Sequence, residues 1–552
     1  MKNQQKDISW YVFLQKEWPY ISILIALCAY LFLFKLGSVS LWETDEPIYG
    51  EVAKEILKSG DWITLHFNYR AWFDKPPLYM WLTALWYYLS GWNEFTTRIS
   101  SSLFGIGHVI AVYFFGRVMF NKKVGFFSAI FLATSLQFII QSRLALVDVP
   151  LSFFITLSCL FFYLGTATSY KRYYFLLSSL FAGVATLTKG PVGVVIPLLI
   201  IGIYLFLTRN LKQLKKMSLP WMSLIFLLVA SPWYIAEIIR HGRSFIDNFF
   251  LLRTIARFTT PFEGHTGPVY YYFGVLFLGF FPWSSFLPFS FFHLLKKKEK
   301  IERKKSFLII SWFCVIFIFF SLAKSKLPGY ILPLYPACAL AVGRLWDDFA
   351  ERKVAGKKGI FISFGIFFLL LIVFALALLL VAKPSFPQEY SLFSGYLFLM
   401  VFGLFAAGIF SFIALFTRKR AFLSPAGLVA GMCFLVWVLT IYILPLTESF
   451  KPTKFLAKQI TSVIQPGERI GNYPARNEDF MSFDCSLIYY CDHPVVGINS
   501  EKDLKMFLAS KERVYCVMSV EAYQKVKKRL EGTPVYILSR RDGKILLSNR
   551  EK

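Results

Sequence analysis

Between residues 19 and 444 the chain returns thirteen times to an apolar run. A helix needs about 20 such residues to cross a bilayer. The runs lie at 19–36, 98–119, 124–141, 150–168, 173–189, 191–208, 219–239, 270–294, 306–323, 329–348, 359–381, 394–416 and 421–444. Few folds accept that pattern. In lipid, backbone donors and acceptors must be satisfied within the chain, so each run reads as a helix. Charged residues make up only 17% of the chain, against about 25% in soluble domains. The chain therefore reads as a polytopic α-helical membrane protein with about 13 transmembrane helices. A net charge of +27 would suggest nucleic acid in a soluble protein. Here much of the excess lies in short loops between apolar runs, so we read it as topology and contact with anionic membrane lipids, with no nucleic acid as partner.

Loop charge orients the spans. With the N-terminus inside, the cytoplasmic loops hold Lys122-Lys123, Lys171-Arg172, Arg209 to Lys216, Lys296 to Lys305, Arg352 to Lys358 and Arg418 to Arg420. Each is basic, as the positive-inside rule expects. This holds only if Pro76 to Ser90, short, opened by two prolines and rich in Trp and Tyr, is an interfacial or re-entrant segment. Thirteen crossings then put the C-terminal tail outside. The first run, Tyr20 to Phe34, lacks a small-residue cleavage site and reads as a signal anchor. The expected compartment is the cell inner (plasma) membrane, multi-pass.

The chain divides by composition. Residues 1–445 form a transmembrane domain with an extracytoplasmic juxtamembrane loop at 37–90, and residues 446–552 form a small extracytoplasmic α/β domain. In that tail Pro452 to Ile464 reads as an amphipathic helix. Arg469–Tyr473, Ser486–Tyr490, Val514–Met518, Val535–Ser539 and Lys544–Leu547 read as strands, with helices at Lys502–Leu508 and Val520–Leu530. Cys28, Cys159, Cys314, Cys338 and Cys433 lie in apolar runs as small core residues. Cys485 and Cys491 are candidates for a disulfide outside the cytoplasm.

The unusual ionisable residues all fall at span ends that this topology puts outside. Such grouping at one face of a bundle suggests a site. Asp45 and Glu46 stand at or just before the N-terminus of an amphipathic helix, Pro47 to Ser59, expected to lie on the membrane surface with Glu51, Lys54, Glu55 and Lys58 on its polar side. A carboxylate there either caps the helix or serves the site. Asp74-Lys75-Pro76-Pro77 holds a lysine at headgroup depth on a rigid turn, suited to a lipid-linked phosphate or to snorkelling. Arg143 and Asp148 join two spans, either as a salt bridge or with Asp148 as a second acidic group of the site. The loop at 240–269 carries Arg257 and His265, able to bind an anion and to act as metal ligand or proton carrier. Lys324-Ser325-Lys326 places basic residues outside, against the charge rule, with Tyr330 and Tyr335 nearby.

At these residues the chain resembles the GT-C polyprenyl-phosphate-sugar glycosyltransferases. It resembles in particular the bacterial aminoarabinose–lipid A transferase family and the protein O-mannosyltransferases. The matching pieces are Asp45-Glu46 with Tyr49-Gly50-Glu51, Asp74-Lys75-Pro76-Pro77-Leu78, Arg143 to Pro150, Arg257 to His265 with Pro282-Trp283, and Ser325-Lys326-Leu327-Pro328. The resemblance implies an inverting membrane glycosyltransferase of the GT-C type. It would move a sugar from a polyprenyl (undecaprenyl) phosphate donor to an extracytoplasmic acceptor, with lipid A and 4-amino-4-deoxy-L-arabinose-type transfer as the leading case. It implies Asp45 and Asp148 as catalytic carboxylates. Lys75, Arg257, Lys326 and Arg143 would lie at the donor phosphate, with Glu46 and Tyr330 behind them. No cofactor is required, although Asp74 and His265 could hold a divalent metal ion. Asp74 stands where relatives often carry Glu, and Pro47-Ile48 where the aminoarabinose enzymes carry Thr-Arg. Other readings are transfer to a protein or polysaccharide, a flippase for lipid-linked sugars, which would need ionisable residues near the bilayer midplane, and an anchored assembly protein. Sugar, acceptor and oligomeric state stay open.

Overall fold

The computed structural model describes residues 17–42, 44–167, 171–256, 266–351, 358–417, 423–474 and 484–551. In chain order its main elements are α1 (Glu17–Leu33), α2 (Asp45–Ser59), β1 (His66–Phe67), β2 (Arg70–Ala71), α3 (Leu78–Ser90), α4 (Glu94–Met119), α5 (Lys122–Ala133), α6 (Leu136–Arg143), α7 (Asp148–Ala167), α8 (Arg172–Lys189), α9 (Val192–Leu207) and α10 (Leu219–His241). There follow α11 (Tyr271–Gly279), α12 (Trp283–Leu295), α13 (Lys300–Leu322), α14 (Tyr335–Ala350), α15 (Lys358–Ser385), α16 (Pro387–Ala414), α17 (Ser424–Phe450) and α18 (Thr453–Thr461). The last are β3 (Arg469–Tyr473), α19 (Cys485–Cys491), β4 (Val495–Gly497), α20 (Glu501–Leu508), β5 (Val514–Ser519), α21 (Val520–Val526), β6 (Tyr536–Arg541) and β7 (Lys544–Ser548). The chain divides into two compact units. The first comprises Met1–Phe34, Ser101–Arg143 and Val147–Ile441; the second comprises Lys35–Ser100, Leu144–Leu146 and Tyr442–Lys552.

The first unit is helical, and a helical segment coincides with each apolar run read from the sequence. Among the described residues, seven helices are long and apolar enough to cross a membrane: α4, α7, α10, α13, α15, α16 and α17. Two further pairs pass together but are bent, α5 with α6 by 64° and α11 with α12 by 113°. The protein is thus a multi-pass membrane protein. Charges at helix ends are paired rather than left in lipid. Asp348 on α14 is fully buried and accepts from His293 Nε2 at 2.8 Å and Lys297 Nζ at 2.7 Å. Arg344 bridges Asp348 and Glu302, and Asn121 Nδ2 donates to Asp347 at 2.8 Å. The loops after α4 and α12 therefore meet the last turns of α14 at one end of this unit.

The second unit contains a five-stranded sheet in the order β4-β3-β5-β7-β6. The β3 strand pairs in parallel with β4 and β5, whereas β7 runs antiparallel to β5 and β6. Leu504, Leu508, Val514, Cys516 and Leu547 form its core. The edge strand β4 is covered: Asn68, between β1 and β2, exchanges 2.9 Å hydrogen bonds in both directions with the Val495 backbone. Such cover removes a free pairing edge. At about 1.5 Å per residue, α3 is about 20 Å long, short of the roughly 30 Å hydrocarbon core.

Three expectations are corrected in this unit. The stretch Ser486–Tyr490, read as a strand from its Ile and Tyr content, is the helix α19, begun by the Asp484 side chain accepting from Leu487 N. Cys485 and Cys491 are free thiols at the two ends of that helix. They stand roughly 9 Å apart along its axis, too far for a disulfide. The polar side of α2 does not face water: Glu51, Lys54 and Glu55 are 0%, 2% and 3% exposed. Gly50 is what allows this. A Cβ there would lie 2.7 Å from Cε2 of Tyr489 on α19, so the two helices approach backbone to ring.

Candidate active site

In the second unit the site residues cluster at the start of α2. Asp45 is its first residue and is exposed; Glu46 beside it is buried. The Glu46 carboxylate accepts from Trp42 N at 2.8 Å, Ala145 N at 2.6 Å, and Arg98 Nε and Nη2 at 2.9 and 2.8 Å. Arg98, 2% exposed, donates onward to the carbonyls of Leu36, Val39 and Ser40 at 2.9–3.0 Å. One ion pair thus fixes the incoming loop and the first turn of α2. Thr44, just before Asp45, has φ +77°, a strained value for a β-branched residue. Such strain persists only where the surroundings over-determine it, and it gathers at functional sites. In the same unit Lys75 Nζ lies 2.8 Å from Asp74 Oδ2, and Lys75 is 7% exposed. Pro76-Pro77 then lead into α3 and fix where the pair sits.

In the first unit the pairings differ from an Arg143–Asp148 staple. Asp148, the first residue of α7, is met by Lys189 Nζ at 2.5 Å. Lys189 also lies 4.8 Å from the centre of the Tyr330 ring, and a Cβ on Gly329 would come within 3.2 Å of Asp148 Cγ. Asp148, Lys189 and the Gly329-Tyr330 turn are therefore one cluster. Arg143 instead donates to Leu31 O and Phe34 O, both at 2.9 Å, closing the end of α1. Lys326 donates to Ser321 O and Ala323 O at 2.8 and 2.7 Å, closing the end of α13. Cations at helix C-termini complement the exposed carbonyls and the dipole. Tyr335 is buried and donates to Gln137 Oε1. Arg257 and His265 lie outside the described residues.

Two side chains that hold candidate site residues escape the sequence reading. Arg98 was hidden at the head of an apolar run, although a charge there must be paired. Lys189 is 41 positions from Asp148, so no local pattern joins the two. Among the described residues no group of three His, Cys, Asp or Glu side chains could hold a metal ion. Asp74 is paired with Lys75, and His265, the other candidate ligand, lies outside the described residues, so no step below runs through a metal.

Residues 74–235 match the family model described as dolichyl-phosphate-mannose-protein mannosyltransferase. A protein of Proteus mirabilis, undecaprenyl phosphate-alpha-4-amino-4-deoxy-L-arabinose arabinosyl transferase 2, is 30% identical over 67% of this chain and 68% of its own length. An uncharacterised protein of Aquifex aeolicus is 29% identical over 88% of this chain and 90% of its own. The crystal structure of ArnT from Cupriavidus metallidurans bound to undecaprenyl phosphate matches with a TM-score of 0.83 at 21% identity, covering 98% of each chain. That likeness shows a common fold, a polytopic GT-C membrane architecture with a small sheet domain near the C-terminus. By its sequence likeness over two thirds of both chains, the protein belongs to the family of undecaprenyl phosphate-4-amino-4-deoxy-L-arabinose arabinosyl transferases, which are membrane glycosyltransferases.

Proposed function

We propose that the protein moves a sugar of the 4-amino-4-deoxy-L-arabinose type from undecaprenyl phosphate to lipid A at the outer face of the inner membrane. The observation that carries this is the family relationship, 30% identity over two thirds of both chains to an arabinosyl transferase. The arrangement is thirteen crossings with the N-terminus cytoplasmic and the C-terminal segment extracytoplasmic. The convergence of basic loops at one end of the helical unit supports it.

The chemistry follows from the residues. The bond from the anomeric carbon to the donor phosphate oxygen breaks, and its electrons leave with polyprenyl phosphate. The acceptor oxygen bonds to that carbon from the opposite face, so configuration inverts. Lys75 and Arg257 stabilise the charge gathering on the leaving phosphate, which is where binding lowers the barrier. Arg143 and Lys326 already donate to main-chain carbonyls, so we give them supporting parts in shaping the phosphate-binding face. Asp45 is the catalytic carboxylate. Against a lipid A phosphate, already ionised, it orients the acceptor. Against a hydroxyl it takes the proton as general base. Asp148, held by Lys189 and backed by Tyr330, is the second acidic group.

The match of residues 74–235 to a protein mannosyltransferase model favours a second reading, in which the acceptor is a protein hydroxyl. Reconstituted membranes supplied with radiolabelled undecaprenyl-phosphate sugars and either lipid A or peptide separate the two. Label on lipid A, lost in Lys75→Ala, is the expected result. Label that moves to peptide alone selects the second reading, and label that stays on the donor overturns both.

A further inference from the structure

The helix that begins with Asp45 carries, two turns later, a group of charges that the proposed chemistry does not use. Lys54 Nζ donates to the carbonyl of Tyr489 on α19. It lies 3.3 Å from Glu51 Oε2, 3.6 Å from Asp492 Oδ1 and 3.8 Å from the centre of the Tyr489 ring. Lys58 joins from the next turn, 2.7 Å from Asp492 Oδ1, and Glu55 accepts from the Tyr69 backbone at 3.0 and 3.1 Å. The cluster is short of donors at one point. Glu51 is fully buried, and neither of its oxygens has a hydrogen-bond partner among the described residues. The groups around it are Lys54, Glu55 and Lys58 from α2, Tyr87 from α3, and Tyr489, Cys491 and Asp492 from α19 and its end.

We propose that Lys54 and Glu51 are positioning residues for Asp45: with Asp492 they clamp α2 to α19, and the rigid helix carries that setting to the carboxylate at its first residue. The clamp rests on the reading of Asp45 as the catalytic carboxylate. Its energetics are those of a buried pair, in which an unmatched charge is expensive and the setting is specific. Burial, the largest influence, raises the carboxyl of Glu51 to about 7, with Lys54 opposing and Glu55 and Asp492 adding to the rise. Below that pH Glu51 is neutral and Lys54 serves Asp492 and the Tyr489 carbonyl. Above it a second carboxylate ionises 3.3 Å from Lys54, with no hydrogen-bond partner among the described residues, and competes with Asp492 and the Tyr489 carbonyl for the one lysine, so the hold of α19 on α2 loosens.

Two readouts on the intact protein test this, one independent of activity. The first is hydrogen exchange of the amides between 44 and 48, Pro47 having none, in detergent-solubilised protein at pH 6 and pH 8. We expect less protection at pH 8 in the wild type, equal protection in Glu51→Gln, and loss at both pH values in Lys54→Met. Asp492→Asn keeps the left-handed backbone that residue 492 adopts, with φ +56°, since Asn tolerates it. It takes one charged partner from Lys54, so protection at pH 6 falls, and it removes a charge that raises Glu51, so the step in protection moves to lower pH. The second readout is transfer. Lys54→Met lowers kcat by roughly 10- to 100-fold with KM for the donor little changed, and Glu51→Gln flattens the pH profile between 6 and 8. Protection at 44–48 that ignores pH in the wild type and is the same in Asp492→Asn would overturn the clamp. A wild type that shows the exchange behaviour but transfers no sugar would instead overturn the functional reading.

Discussion

The two halves of α2 treat a buried glutamate in opposite ways. At the first turn Glu46 receives four donors, two of them from Arg98, and the ion pair is complete. At the second turn Glu51 is as deeply buried, yet it meets one lysine at ion-pair distance and has no hydrogen-bond partner among the described residues. The first arrangement is a rigid pin. The second is a contact whose strength changes with protonation. A charge inside a protein is stable when every lone pair is met, and titratable near neutrality when it is not.

The contrast is broken most severely at the pin. Arg98→Ala leaves the Glu46 carboxylate buried and without its counter-charge, which costs about 3–5 kcal/mol. Thermal unfolding in detergent should register this as a large fall in midpoint or as loss of folded protein. Next is the seam between α2 and α19. The Tyr489 ring facing Gly50 is held by Thr97 and Tyr87, so it cannot swing away. Overpacking by Gly50→Ala costs about 1–3 kcal/mol, and the gain of about 1 kcal/mol in helix propensity offsets only part of it. The same unfolding assay should give a net loss of up to about 2 kcal/mol.

A pH series sharpens the comparison without mutation. Glu51 and Glu55 both stand at about 7, against 4.5 for a free glutamate, chiefly through burial. The folded state binds these protons more tightly than the unfolded one. Their stabilising contribution is therefore fully present below pH 4.5 and is lost as pH rises through about 7. The unfolding midpoint should fall between pH 5 and pH 8, and less so in Glu51→Gln. The smallest effect belongs to Lys58→Ala. Its pair with Asp492 is about one third exposed on each side, so removal should change stability by no more than about 1 kcal/mol.

What the sequence made legible follows from the range of the physics. Span-length hydrophobicity is local, and the apolar runs coincide with helical segments, seven of them long enough to cross a membrane among the described residues and two as bent pairs. Asp45, Asp74 with Lys75, and Asp148 stand out as candidates because they fall at the span ends that the loop-charge rule puts outside, where basic loops are not expected. The distant partners of Asp148 and of Lys54 do not stand out. Lys189 reaches Asp148 across 41 residues, and Tyr489 reaches Lys54 across 435. The amphipathic pattern of α2 said that one side was charged, and a surface helix was the natural reading. Nothing local could reveal that Lys35–Ser100 packs into the same unit as Tyr442–Lys552. Strand propensity misled at Ser486–Tyr490 for the same reason, since a cap at Asp484 and packing on α2 outweigh Ile and Tyr content.

The central claim is that the exposed carboxylate opening α2 does the chemistry, and the most direct test is Asp45→Asn in reconstituted membranes. The substitution keeps size and removes the charge. With radiolabelled undecaprenyl-phosphate sugar and lipid A, the account predicts that donor binding stays near wild type while label transfer is lost. Transfer at the wild-type rate in Asp45→Asn would contradict it.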